Sequence, residues 1–186
     1  MKTGDQIIVN PLSGERITIL AGDPGSDALV WELRLAPGGR VPSSHAHPRQ
    51  EERFTVVQGR MRFRVGWRRV VAGPGDTVVV PPGKSHHFAN IGAAPARAEV
   101  RTTPALAMKE LLEAAAALAA DQQAAGRVLP RLTDLVLFMR DFEAEVASPF
   151  LPRLVRAGIR LLASVAERRG RGIRYRCLRR TDAAAR

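Results

Sequence analysis

The chain has 186 residues, 45% of them hydrophobic and 25% charged, a balance that excludes disorder over the whole length and suffices for one domain with an appendage. Lys and Arg total 29 against 18 Asp and Glu, a formal charge of +11 that raises nucleic acid or an anionic membrane as partners until the charge is located. A single cysteine, Cys177, excludes an internal disulfide and a thiolate cluster for a zinc finger or an iron–sulfur centre.

The start, Met1-Lys2-Thr3-Gly4-Asp5, is polar and lacks the apolar core of a secretory signal. The most apolar run, Leu154 to Ala166, holds Arg156 and Arg160, so no bilayer-spanning segment is expected and the chain reads as a soluble cytoplasmic protein. Residues 1–103 read as strands. Trp31-Glu32-Leu33-Arg34-Leu35 and Arg60-Met61-Arg62-Phe63-Arg64-Val65 alternate apolar with charged, the period of a half-buried strand. Turn signals recur at Asn10-Pro11, Asp23-Pro24-Gly25, Pro37-Gly38-Gly39, Gly66-Trp67, Gly73-Pro74-Gly75, Pro82-Gly83 and Asn90-Ile91-Gly92. Short strands between such turns predict an antiparallel sandwich or small barrel.

After Pro104 the period becomes helical. Leu106, Met108, Leu111, Leu112, Ala115, Leu118 and Ala119 share one face, and Gly126 is placed to end the run. A second helix is expected over Leu132 to Val146, burying Leu132, Leu135, Val136, Met139 and Val146. A third is expected from Ser148-Pro149 towards Glu167, carrying Leu151, Leu154, Val155, Leu161, Leu162 and Val165 among arginines. The expected organisation is a β-domain over 1–103 and a helical extension over 104–186 with a basic C-terminal tail.

All four histidines lie in two short stretches of the β-region. His45 and His47 are two apart, so on a strand both point to one face, as two imidazoles sharing a metal must. Gln50, Glu52, Phe54 and Val56 form the next same-face set, which brings one carboxylate into apolar surroundings, a costly position unless it is paired or bound to a cation. Glu51 faces away. In the second stretch His86, Phe88 and Asn90 share a face and His87 takes the other, so His86 is the third candidate imidazole. Three neutral nitrogens and one carboxylate suit a divalent transition metal such as Mn, Fe, Co, Ni, Cu or Zn without choosing among them. Asn90 is expected to serve a turn at the strand end.

The spacing Gly-x5-His-x-His-x4-Glu-x6-Gly is filled by Gly39, His45, His47, Glu52 and Gly59, and Gly-x5-Pro-x-Gly-x2-His-x3-Asn by Gly75, Pro81, Gly83, His86 and Asn90. With both motifs complete and a short stretch between them, the sequence resembles small single-domain bacterial members of the cupin superfamily over roughly residues 30–103. The resemblance implies a mainly β fold, an antiparallel jelly-roll barrel, with a metal in its mouth held by His45, His47, Glu52 and His86. It also implies a homodimer. Inward-facing Gln50, Phe54, Met61, Phe63 and Phe88, with Trp31, Val65 and Val100, are candidates for a substrate pocket, and Ser43 and Thr102 could add hydrogen bonds. A mostly apolar pocket suits a small organic molecule.

Residues 153–186 hold 11 Arg and two acids, a net of +9, and residues 1–152 a net of only +2. The basic end could lie on an anionic membrane surface. Nucleic acid is disfavoured because Tyr175 is the only aromatic residue in the tail available for stacking. The function expected from these features is metal-dependent chemistry on a small organic molecule, dioxygenase-like or isomerase-like by analogy with the superfamily. The alternative is a non-catalytic binding module whose basic helical tail docks to a membrane, a partner or nucleic acid.

Overall fold

The computed structural model describes residues 7–20, 25–41, 44–148 and 153–170, together with residues 172 and 175. Ser43, Pro149, Leu151, Cys177, the start at Met1 to Asp5 and most of the basic tail lie outside the described residues, as does the side chain of Leu154. Nine strands come first: β1 (Ile7–Asn10), β2 (Glu15–Leu20), β3 (Leu29–Leu35), β4 (Glu51–Gln58), β5 (Met61–Val65), β6 (Arg68–Ala72), β7 (Thr77–Val80), β8 (His86–Asn90) and β9 (Ala96–Thr103). They form two antiparallel sheets, one of six strands in the order β1-β2-β3-β9-β4-β7 and one of three in the order β6-β5-β8.

The expected period of two sets the inner faces. Trp31, Leu33 and Leu35 from β3, Phe54 and Val56 from β4, Met61 and Phe63 from β5, Phe88 from β8, and Ala98 and Val100 from β9 form one buried cluster between the sheets. Burying side chains of this size contributes about 1.5–3 kcal/mol each, which makes the cluster the main source of the barrel's stability. Gly59 ends β4 with φ at +82°, and a Cβ there would stand 2.8 Å from Ala96 Cα, so both backbone conformation and close approach require glycine. The β8 end is tied by Asn90, whose Nδ2 donates to the Leu35, Ala36 and Ala94 carbonyls while Oδ1 accepts the Gly92 N–H, a turn-holding role as expected.

Three helices follow: α1 (Met108–Ala124), α2 (Leu132–Asp141) and α3 (Arg153–Arg168). α1 ends in a Schellman motif, with Gly126 at φ +60°, its N–H on the Gln123 carbonyl and the Arg127 N–H on the Gln122 carbonyl. Ala116 and Leu112 of α1 join the barrel core, and Met108, Leu111 and Phe142 pack around Leu29 of β3. α2 stops at Asp141, short of the expected Val146. Phe142 turns inward against Phe138, with ring centroids 5.2 Å apart, and residues 142–145 form a turn. Leu132 is 69% exposed, so the buried face of α2 is set instead by Asp134, Val136 and Leu137.

The third helix also differs from its expected pattern. Val155, Leu161 and Leu162 are exposed, whereas the small Ala163 and Ala166 are buried and Ile159 is half-buried. Close approach of α3 to α2 uses the alanine face, and two ion pairs hold the contact: Arg140 forks onto Glu167 at 2.7 and 3.0 Å, and Arg160 Nε donates to Glu143 at 2.8 Å. Tyr175 is buried with Leu118, Val136, Leu137 and Ala163, so the chain beyond α3 returns to the helical cluster. Among the described residues no helix is long and apolar enough to cross a membrane.

Candidate metal centre

Backbone pairing brings the two histidine stretches together. His45 and His86 lie opposite each other in an antiparallel bridge, exchanging N–H to carbonyl bonds of 3.1 and 2.8 Å, which points both side chains to the same face. Gly83, with φ at +74°, donates its N–H to the His47 carbonyl at 2.8 Å, and the Ser44 and Ser85 hydroxyls meet at 2.7 Å. The two loops are thus stapled on both sides of the imidazoles.

The three rings converge. Their centroids lie 4.3 Å apart for His45 and His86, 5.0 Å for His45 and His47, and 5.2 Å for His47 and His86. One nitrogen from each lies within 4.8 Å of the others, so the triad could hold a metal ion. His47 and His86 are buried, at 4% and 1% exposure, and His45 is half-buried. Glu52, 3% exposed, places Oε2 at 3.3 Å from His47 Nε2 and 3.0 Å from His86 Nε2. Neither Nε2 has a hydrogen-bond partner, so two buried ring nitrogens converge unpaired on one carboxylate oxygen.

Residues 31–100 match the cupin domain family, Cupin_2. This segment is a cupin domain. The chain is 34% identical over 79 residues to germin-like protein subfamily T member 3 of Arabidopsis thaliana, an alignment covering 37% of this chain and 34% of that protein. It therefore spans about a third of the length of the curated relative it matches. A sugar phosphate isomerase from a cupin superfamily, from Silicibacter pomeroyi DSS-3, is 25% identical over 53% of this chain and 71% of that one, with a TM-score of 0.48. A predicted oxalate decarboxylase from Thermotoga maritima is 21% identical over 54% of this chain and 92% of that one, with a TM-score of 0.47.

The surroundings of the cupin triad fix ring orientation and charge. His47 Nδ1 lies 2.5 Å from the Glu145 carbonyl, which can only accept, so Nδ1 carries the proton and Nε2 faces the centre. Trp31 Nε1 donates to Thr102 Oγ1 at 3.2 Å, and that hydroxyl donates to Glu52 Oε1 at 3.4 Å, a buried relay that holds the carboxylate from behind. Burial opposes charge on both members of the central pair, but their attraction prevails. The Glu52 carboxyl is held well below its usual range by His47 and His86, and His47 is raised by Glu52 and the Glu145 carbonyl. On the opposite face, burial and then the charges of Arg64, His86 and Arg62 lower His87.

The candidate pocket residues divide. Phe54, Phe63 and Phe88 pack on one another with centroids 5.1 to 5.9 Å apart, Met61 is fully buried beside them, and Phe54 reaches His86 at 6.2 Å. They form an apolar floor beneath the imidazoles. Gln50 is fully buried, and its amide donates to the Pro104 and Ala105 carbonyls, tying β4 to the start of the helical extension. A cavity of about 300 Å³ lies elsewhere, between α2, α3 and the loop after His47, lined by Arg49, Met139, Glu143, Val146 and Ile159.

Sequence reasoning missed Glu145 and Ala147. Ala147 exchanges two backbone bonds with Ala46, at 3.0 and 2.8 Å, between the two motif histidines, and the Glu145 carboxylate accepts the Ala107 N–H at the start of α1. The turn after α2 is thereby built onto the site. Two of its contributions are backbone groups, which no residue type announces.

Proposed function

We propose that this chain holds a divalent first-row transition ion through His45, His47, His86 and Glu52 and acts through it on a small organic molecule that carries oxygen donors. The observation that carries the reading is the pair of buried Nε2 atoms of His47 and His86, both aimed at the Glu52 carboxylate and neither hydrogen-bonded. Neutral imidazoles and a carboxylate are the donor set of Mn, Fe, Co, Ni, Cu and Zn sites, and a buried carboxylate favours a bound cation. When bound, such an ion supplies Lewis acidity or a redox centre. The chain's own residues prepare the place for it. The Glu145 carbonyl fixes the His47 tautomer, the Trp31–Thr102 relay holds Glu52, and the Phe54, Phe63 and Phe88 floor keeps water from beneath. Dioxygen-dependent oxidation is the first reaction class to assay and isomerisation the second.

The test is the metal content of untagged protein beside the His45→Ala and Glu52→Ala variants. Wild-type protein is expected to hold about one equivalent of a transition metal after anaerobic reconstitution, and the variants far less. Less than roughly a tenth of an equivalent in the wild type would overturn the reading.

A second reading, a non-catalytic module that reports occupancy to its helical extension, is favoured by the Ala46–Ala147 pairing and the Glu145 contact to His47. Full metal occupancy with no turnover of phenolic, keto or hydroxy compounds would select it.

A further inference from the structure

The outer face of the three-stranded sheet is basic without relief. Arg62 of β5 lies between Val71 of β6 and Ala89 of β8, and Ala89 bridges to Arg40. In the next row Arg64 lies between Arg69 and His87. Arg40, Arg62 and Arg69 are exposed, and the half-buried Arg64 donates its Nε to the Gly66 carbonyl. None of these four arginines forms an ion pair with a carboxylate among the described residues. Three arginines of the six-stranded sheet are relieved: Arg34 and Arg97 both meet Glu32, at 2.5 and 3.3 Å, and Arg53 meets Glu51 at 2.7 Å. Like charges directly opposite one another across strands, as Arg64 and Arg69 are, destabilise a sheet. Among the described residues no carboxylate offsets that cost.

The same sheet ends in a feature equally unexplained by folding. The β5–β6 turn carries Trp67, which is 93% exposed, beside the exposed Arg68. A projecting indole at the edge of a plane of guanidinium groups matches a lipid interface, where tryptophan sits at headgroup level and arginine forks onto phosphate.

We propose that this face docks to an anionic phospholipid surface, with Trp67 at the headgroup level and Arg40, Arg62 and Arg69 on lipid phosphates. Single-stranded nucleic acid fits the face less well. Sheets that bind bases carry aromatic residues on the face itself, whereas the outward positions here, apart from arginine, are Val71, Ala89 and His87.

Trp67 is also the reporter. The other tryptophan, Trp31, is buried with its Nε1 bonded to Thr102, so a change in emission on binding belongs to Trp67. The full chain is titrated with vesicles of phosphatidylcholine alone and with vesicles containing about 30% phosphatidylserine. Emission is expected to shift to shorter wavelength with the anionic vesicles only, and the shift is expected to reverse as salt is added. The Arg62→Ala/Arg69→Ala variant is expected to bind roughly thirtyfold more weakly, at about fivefold per arginine. Trp67→Ala is expected to abolish the shift. These side chains are exposed, and an unchanged thermal melt checks that each variant is folded. Vesicle binding with unaltered Trp67 emission and full affinity in the double-arginine variant would assign binding to the basic tail and overturn the proposal. A single-stranded oligothymidylate that shifts the emission at a lower concentration than the anionic vesicles would overturn it as well.

Discussion

Replacing Glu52 by glutamine keeps the shape of the side chain and removes the charge that His47 and His86 face at 3.3 and 3.0 Å. In the metal-free protein this charge ties stability to pH in a definite direction. Burial alone would lower His47, but the Glu52 carboxylate and the Glu145 carbonyl leave it raised in the folded state. A raised histidine contributes stability that is fully present below its unfolded value, about 6.5, and is lost as pH rises through the folded value. Glu52 is depressed by the same partners against the opposing effect of burial, so its contribution is present above about 4.3 and is lost as pH falls through the folded value.

The metal-free protein is therefore expected to be most stable between about pH 4.3 and 6.5 and to weaken above that range, with a slope approaching 1.4 kcal/mol per pH unit for one proton. A bound transition ion reverses the sign, because ligation requires neutral imidazoles and strengthens as protons leave. Urea denaturation between about pH 5.5 and 8.5, in chelator and in zinc, measures both slopes. In Glu52→Gln, His47 keeps its burial and loses its partner, so the decline at high pH should vanish from the chelated series. The difference between the two proteins also cancels the separate titration of His87. Metal-free wild-type protein with flat stability from about pH 6.5 to 8, or with the same slope as Glu52→Gln, would refute the assignment of a mutually stabilised pair.

Two further substitutions probe the supports of the site. Ala147→Pro removes the N–H that donates to the Ala46 carbonyl at 2.8 Å, and is expected to weaken metal affinity ten- to a hundredfold in a chelator competition, a loss of about the size that follows when ligand-orienting partners are removed. Wild-type affinity in that variant would show that the turn after α2 does not hold His47. Asn90→Ala deletes the side chain on which the Leu35, Ala36 and Ala94 carbonyls and the Gly92 N–H depend, and should cost about 2–4 kcal/mol in urea denaturation with metal content unchanged. A loss of metal at full stability would instead give Asn90 a part in the centre.

Much of the barrel is legible in the sequence because its information is local. Alternation puts Met61 and Phe63 inside and Arg62 outside, and the two-residue spacing of His45 and His47 needs no partner strand to be read. The helix-ending role of Gly126 is local in the same sense. What escapes is whatever depends on two distant elements. Leu161 and Leu162 look buried by type, yet the close packing of α2 and α3 selects Ala163 and Ala166. Gln50 looks like a pocket donor until the Pro104 and Ala105 carbonyls are placed against it. Net charge is the clearest case. A value of +2 over residues 1–152 conceals the segregation, because Glu32 and Glu51 pair with Arg34, Arg97 and Arg53 of one sheet while Arg40, Arg62 and Arg69 on the face of the other have no carboxylate partner among the described residues.

The change from strand to helix near residue 104 marks a boundary in composition that the packing does not respect. Leu112 and Ala116 of α1 belong to the barrel core, Gln50 of β4 is bonded to the first residues of the extension, and Ala147 pairs with Ala46 between the motif histidines. The Glu145 carbonyl sets the His47 tautomer, and the Glu145 carboxylate accepts the N–H of Ala107, just before α1, so one turn touches both the imidazole and the start of the helix that closes on the barrel. Coupling through such a turn is reciprocal by necessity. Whatever factor the docked turn adds to metal affinity, a bound metal must add to the docking of the turn. A ligand that pries the turn away must weaken the metal by that same factor. If the candidate centre holds a metal, the helical extension is in this sense an energetic part of it, whether the centre catalyses a reaction or only reports its occupancy.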